Sequence, residues 1–206
     1  MEKTIFLFRR KEGVRRSEFA KHYIERHAPL GARLTRCLMG YTVNLVESEG
    51  GPDAVTEHWV PSAMDLLTPS RAYATAEEFQ RVLTDDRSFI GDFELYVVTE
   101  EELVIAAEPL AAPLGRETPE AKAVWMYGDA GALPPPPRAR RVIDNRVSRK
   151  LVYRGHEGWE AAASDIAIIR MAWAAGFDQF GASLSEALRL REYRFIAAPP
   201  AVPIFR

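Results

Sequence analysis

His27 follows Phe19 and Tyr23 at intervals of four residues, and Leu30 and Leu34 continue the series at three and four. In a helix these positions form one stripe, so the imidazole lies on an apolar face directed at whatever the helix packs against. Apolar surroundings disfavour the charged ring, and a neutral imidazole can take a proton from an acidic carbon or hydroxyl and return it elsewhere, which is general acid/base chemistry. Tyr23, one turn earlier, can donate a hydrogen bond to a substrate oxygen. Within the run from Ala54 to Val60, strand alternation sends Glu57 and Trp59 to one face and His58 to the other. Either polar residue, on a central strand, must be hydrogen-bonded or line a cavity. The candidate chemical groups are therefore His27, Tyr23, His58 and Glu57, with Phe19, Leu30, Trp59 and Phe79 as walls for a ligand. Each has a plain structural alternative: a core histidine bonded to backbone, a packing aromatic, a buried ion pair. His22, Cys37 and His156 read as packing or surface residues, and Asp53 as a turn-fixing carboxylate before its strand.

These residues need a packed scaffold, and the composition supports one. The 206 residues are 47% hydrophobic and 27% charged, near the globular average. The formal net charge of -2 hides an asymmetry: residues 1–108 carry 13 Lys+Arg against 19 Asp+Glu, and the remainder 14 against 10. Most of the positive excess falls between Arg138 and Arg154. Asp144 interrupts that run and no aromatic platform accompanies it, so nucleic acid is not an expected partner. No apolar stretch approaches the ~20 residues of a membrane span, and the opening residues lack the features of a secretory signal. A cytoplasmic protein without membrane contact is expected. The single cysteine excludes an internal disulfide framework and paired-thiolate zinc sites; no metal and no cofactor is expected.

The elements that would position the site follow from periodicity and punctuation. Lys3–Arg9 reads as a central strand, and a helix capped by Ser17 carries the His27 stripe to Gly40. Tyr41–Val46 and Ala54–Val60 are strands. Thr75 and Glu78 have capping-box spacing ahead of a second helix, and Phe93–Thr99 is a fourth strand. The order β-α-β-β-α-β suggests a ferredoxin-like split βαβ unit with both helices on one face. A linker at residues 106–119 then leads to a second half in which Ala123–Tyr127, Asp165–Ala172 and Tyr193–Ala197 are strands and Phe177–Leu190 is a helix. The prolines between Gly128 and Pro137 bar the counterpart of the first helix. The fold expected is α+β: a tandem of two ferredoxin-like units, residues 1–105 and a degenerate 120–206, packed sheet to sheet as an internal pseudo-dimer, with a further homodimer open.

Arg9-Arg10-Lys11 with Gly13, Ser17, Phe19, His22, Tyr23 and His27-Ala28-Pro29-Leu30, then Gly40-Tyr41, Asp53, Glu57, Trp59 and Phe89, resemble the EthD domain family over about the first 100 residues. That resemblance implies the dimeric α+β barrel superfamily, which includes cyclases, decarboxylases, isomerases, quinone-forming monooxygenases and haem-degrading enzymes. It points to a cofactor-independent enzyme acting by acid/base chemistry on a small, apolar oxygenated molecule: an aromatic, a lactone, a polyketide-like compound or an intermediate of ether degradation. A non-enzymatic ligand-binding accessory protein is the alternative. A haem-binding or monooxygenase-type oxidoreductase using His27 or His58 is a third.

Overall fold

The computed structural model describes residues 1–106, 112–128, 134–153 and 159–197. His156, much of the linker and part of the proline-rich stretch lie outside the described residues. The apolar opening run forms β1 (Glu2–Arg10), followed by α1 (Arg16–His22) and, through one wide turn at Tyr23–His27, α2 (Ala28–Leu34). Pro29 explains the wide turn: it has no N–H for Glu25 to accept and its ring crowds that carbonyl, so the turn before it opens to i→i+5 spacing. The helix starts at Arg16, one residue before the expected cap, with Glu18 accepting from the Arg15 amide at 3.1 Å. It ends at Leu34, and Gly40 instead begins β2 (Gly40–Val46). Then come β3 (Ala54–Val60), the short α3 (Ala63–Leu67) and α4 (Pro69–Ala72), α5 (Ala76–Phe89) and β4 (Ile90–Ile105). Thr75 caps α5 as expected, accepting from the Glu78 amide at 3.1 Å.

The second half supplies β5 (Ala121–Tyr127), β6 (Arg141–Tyr153), β7 (Trp159–Ala162), β8 (Ile168–Ala174) and β9 (Leu188–Ile196). The expected helix from Phe177 to Leu190 is corrected to tight 3₁₀ turns at Phe177–Glu186, broken where Gly181 takes φ +62°. Leu188 and Leu190 belong to the strand that follows.

The expectation of two ferredoxin-like α+β units in tandem is also corrected. The strands run in the order β4-β1-β3-β2-β9-β5-β8-β6, and β6 pairs back onto β4 from Leu95↔Leu151 to Ile105↔Arg141. The sheet therefore closes into one eight-stranded antiparallel barrel, with β7 as a short addition beside β6. Both halves are consecutive staves of that barrel rather than repeated units. The length of β4 makes this possible: it continues for 16 residues and offers β6 a full edge. Closure leaves neither strand with a row of unpaired amides.

Alternation along each strand then divides the side chains between inside and outside. Ile5, Leu7, Val55, Tyr96, Val98, Val124, Ile143, Ile169, Met171 and Trp173 pack within one cluster. Phe6, Phe8, Val43, Leu95 and Val97 face the opposite way, against Phe19, Tyr23, Ala28 and Phe89 from the helices. A third cluster, Ala123, Trp125, Val142, Ala172 and Phe180, lies beneath the 3₁₀ turns. No helix among the described residues is long and apolar enough to cross a membrane.

Candidate functional site

The helix stripe behaves as its spacing requires: Phe19, Tyr23 and His27 are all buried. Nδ1 of His27 lies 2.9 Å from Asp85 Oδ2, and a carboxylate only accepts, so Nδ1 carries the proton. Nε2 lies 3.4 Å from Asp86 Oδ1. His22 donates from Nε2 to the other oxygen of Asp85, also at 2.9 Å. Asp85 and Asp86 stand on α5 between the buried Val82 and Phe89, three and four residues from each, which turns both carboxylates toward the first helix.

The two neighbouring carboxyls are driven in opposite directions. Burial works against ionisation of Asp85, but hydrogen bonds from His27 and His22 more than offset it and hold that carboxyl below the usual range. Burial dominates at Asp86 and raises it, with the neighbouring Asp85 charge adding to the rise and His27 opposing it. His27 is thus fixed at Nδ1 by a carboxylate held below its usual range, while Nε2 faces one pushed above it.

Tyr23 continues the polar chain inward. Its hydroxyl lies 2.8 Å from Thr56 Oγ1 on β3, and Tyr41 of β2 belongs to the same buried cluster. Burial pushes both phenols well above their ordinary range, so they act as neutral donors. Beside them His58 stacks on Tyr41 with ring centroids 4.8 Å apart and meets Phe6 edge-on at 5.3 Å. Its ring stays partly accessible, but Nδ1 is occluded and has no hydrogen-bond partner among the described residues. Burial, reinforced by His27, lowers its pKa to about 3.

From Phe6 an aromatic row runs outward. Phe6 and Phe8 stack at 5.2 Å, Phe93 lies 5.7 and 5.8 Å from them, Trp159 is 5.9 Å from Phe93, and Tyr153 is 5.4 Å from Trp159. The row emerges at the surface, where Phe93 is 37% and Tyr153 61% exposed. On the other side of the helices, Leu30 and Asp85 line an open groove with Gln80, Arg81, Thr84 and Ser88. Phe79 is half-buried on α5 and packs on Tyr73.

Glu57 and Trp59 are not with these groups. They point into the barrel, where Glu57 bridges Lys3 at 2.7 Å and Lys122 at 2.6 Å. Lys3 also reaches Glu100 at 2.8 Å, and Lys122 reaches Glu192 at 2.7 Å. Trp59 donates to Glu100 at 3.2 Å and Trp173 to Glu192 at 3.0 Å, while Lys3 and Lys122 lie over those indoles at 4.6 and 4.4 Å. Burial opposes ionisation of Glu57, yet the two ammonium groups hold it far below the usual carboxylate range. This is a closed ion network crossing between strands of the two halves. Asp53 ties the start of β3 to the end of β1: it accepts from the Arg10 amide at 2.8 Å and pairs with the Arg10 guanidinium.

Sequence reasoning missed Asp85, Asp86, Tyr41 and Thr56. The two aspartates carried a readable signal, since Val82, Asp85, Asp86 and Phe89 share one helical stripe. Among the described residues no group of three or more His, Cys, Asp or Glu side chains is placed to hold a metal ion.

No family model matches the chain, and no curated protein matches it. Among solved structures, a protein described as anthrone oxidase-like superposes with a TM-score of 0.59 at 14% identity, over 98% of this chain and 96% of that one. At that identity the likeness is one of fold alone. The EthD resemblance receives no support from a family model.

Proposed function

We propose that the protein acts on a small, apolar, oxygenated molecule held on the helix-covered side of the sheet, with His27 moving a proton. The observation that carries this is the imidazole clamped between two adjacent carboxyls whose proton affinities diverge, the pattern by which one site keeps an acid and a base at the same pH. Asp85 holds the ring and its tautomer; Asp86 holds or accepts the proton exchanged at Nε2. The aromatic row from Phe6 to Trp159 supplies an apolar surface, and the neutral Tyr41 and His58 offer hydrogen bonds without charge. Glu57 and Trp59 serve the barrel rather than the reaction. An aromatic, lactone or polyketide-like substrate suits this surface, and the name of the anthrone oxidase-like neighbour is compatible with it.

A second reading, a protein that binds without turning over, is favoured by one fact: both ring nitrogens of His27 already face carboxylates, as in a structural clamp. The same fact weighs against His27 as a haem ligand. The readings separate when purified protein is incubated with phenols, lactones and quinone precursors and products are followed by mass spectrometry. Turnover that falls about a hundredfold or more in His27→Gln with binding retained supports the enzyme. Binding without turnover in wild type supports the carrier.

A further inference from the structure

Two buried polar atoms without partners among the described residues sit on directly opposed strand residues. Thr4 of β1 is directly opposite His58 of β3 in the strand register, on the helix side of the sheet. Thr4 is fully buried, and its Oγ1, like His58 Nδ1, has no hydrogen-bond partner among the described residues. Directly opposed residues hold their Cβ atoms about 4.5–5.5 Å apart, so one polar atom placed above the pair reaches both. Buried polar groups are nearly always paired, because an orphan forfeits the hydrogen bonds it made to water. Two orphans in one cross-strand pair are a feature to be explained.

Their neighbours decide what would satisfy them. Across the sheet the row reads Val97, Thr4, His58, Tyr41, with Phe6 edge-on to the His58 ring. That row contains no cation to receive a carboxylate, which would lose its hydration without compensation. An alkyl group would leave both atoms unpaired. A hydroxyl both donates and accepts, so it satisfies Thr4 and the neutral His58 in either ring tautomer.

We infer that Thr4 and His58 form a hydrogen-bonding subsite for a neutral hydroxyl carried by an apolar ligand, which makes Thr4 a specificity-determining residue. The inference rests on the reading of this face as a small-molecule site. The five-residue α3 packs on both β1 and β3, the strands that carry the pair.

The test is calorimetric titration of the full chain and of Thr4→Val and Thr4→Ser with three probes: 1-naphthol, 1-methylnaphthalene and 1-naphthoate. Wild type is expected to bind 1-naphthol about tenfold more tightly than 1-methylnaphthalene, the worth of two modest hydrogen bonds. 1-Naphthoate should bind most weakly. Thr4→Val should cut the naphthol preference several-fold with little change for methylnaphthalene, and Thr4→Ser should restore it. Because the Thr4 hydroxyl bonds nothing among the described residues, Thr4→Val should also melt no lower than wild type. Equal binding of naphthol and methylnaphthalene overturns the subsite but leaves the small-molecule face standing. Binding of none of the probes overturns both. A clear loss of stability in Thr4→Val shows a bonded hydroxyl and overturns the subsite alone.

Discussion

Replacing Glu57 with leucine tests whether the charges inside the barrel depend on one another. Glu57 is 2% exposed, Lys3 3% and Lys122 0%, so water cannot replace the lost carboxylate. Lys122 would keep only Glu192 and Lys3 only Glu100, and the carboxylate shared by the two ammonium groups would be gone. Removing one member of a buried ion pair typically costs about 3–5 kcal/mol, because the partner charge stays buried. Set against a total stability of about 5–15 kcal/mol, that is a large fraction. For a chain of this size each kcal/mol moves the melting midpoint by about 2–4 °C, so a fall of roughly 6–20 °C is expected in calorimetry. Adding Lys122→Met removes one stranded charge, and the double variant should recover at least about 1 kcal/mol over additivity. The pH dependence has a definite sign. Glu57 is held below its ordinary value in the folded protein, so its contribution is fully present above the unfolded carboxylate value of about 4.3 and is lost as pH falls from there toward the folded value. The gap between wild type and Glu57→Leu should therefore be wide at pH 7 and narrow toward pH 3. A single variant within about 1 kcal/mol of wild type, or strict additivity with Lys122→Met, refutes the coupling.

Other positions make sharper local tests. His27→Phe should lower stability by about 1–3 kcal/mol in chemical denaturation, because it leaves Asp85 with His22 alone and Asp86 without the ring it faces. His58 should show neutral-ring nitrogen shifts by NMR from pH 7 down to about 4, since its pKa is lowered to about 3, whereas ordinary titration near 6.5 would contradict the burial argument. Gly91→Ala should cost about 1–3 kcal/mol by thermal melting: a Cβ there would stand 2.9 Å from the Arg10 carbonyl oxygen and 3.0 Å from Lys11 Cα, beside the register shift at Arg9/Arg10.

Local periodicity made several elements legible and left their assembly hidden. The His27 stripe and the strand at Ala54–Val60 could be read because each is set by neighbours along the chain. Pairing of β4 with β6 could not, since it joins residues more than 35 positions apart and depends on register rather than pattern. Gly181 ended a helix that Phe177, Phe180 and Leu184 otherwise suggested, by adopting a backbone conformation that a regular turn cannot contain. Alternation separated Glu57 from His58, yet only the closed barrel shows which face is inside. Lys3 and Lys122 meet Glu57, and Asp85 and Asp86 meet His27, from distant parts of the chain, which no local pattern encodes.

Closure of the barrel within a single chain has a thermodynamic consequence. The seams between β2 and β9 and between β4 and β6 form without any meeting of separate molecules, so their formation carries no mass-action term and their stability does not change on dilution. Covalent continuity between β4 and β5 supplies one half to the other at a fixed effective concentration. Severing the backbone there would leave every pairing available and convert ring closure into a bimolecular equilibrium, whose midpoint would track protein concentration.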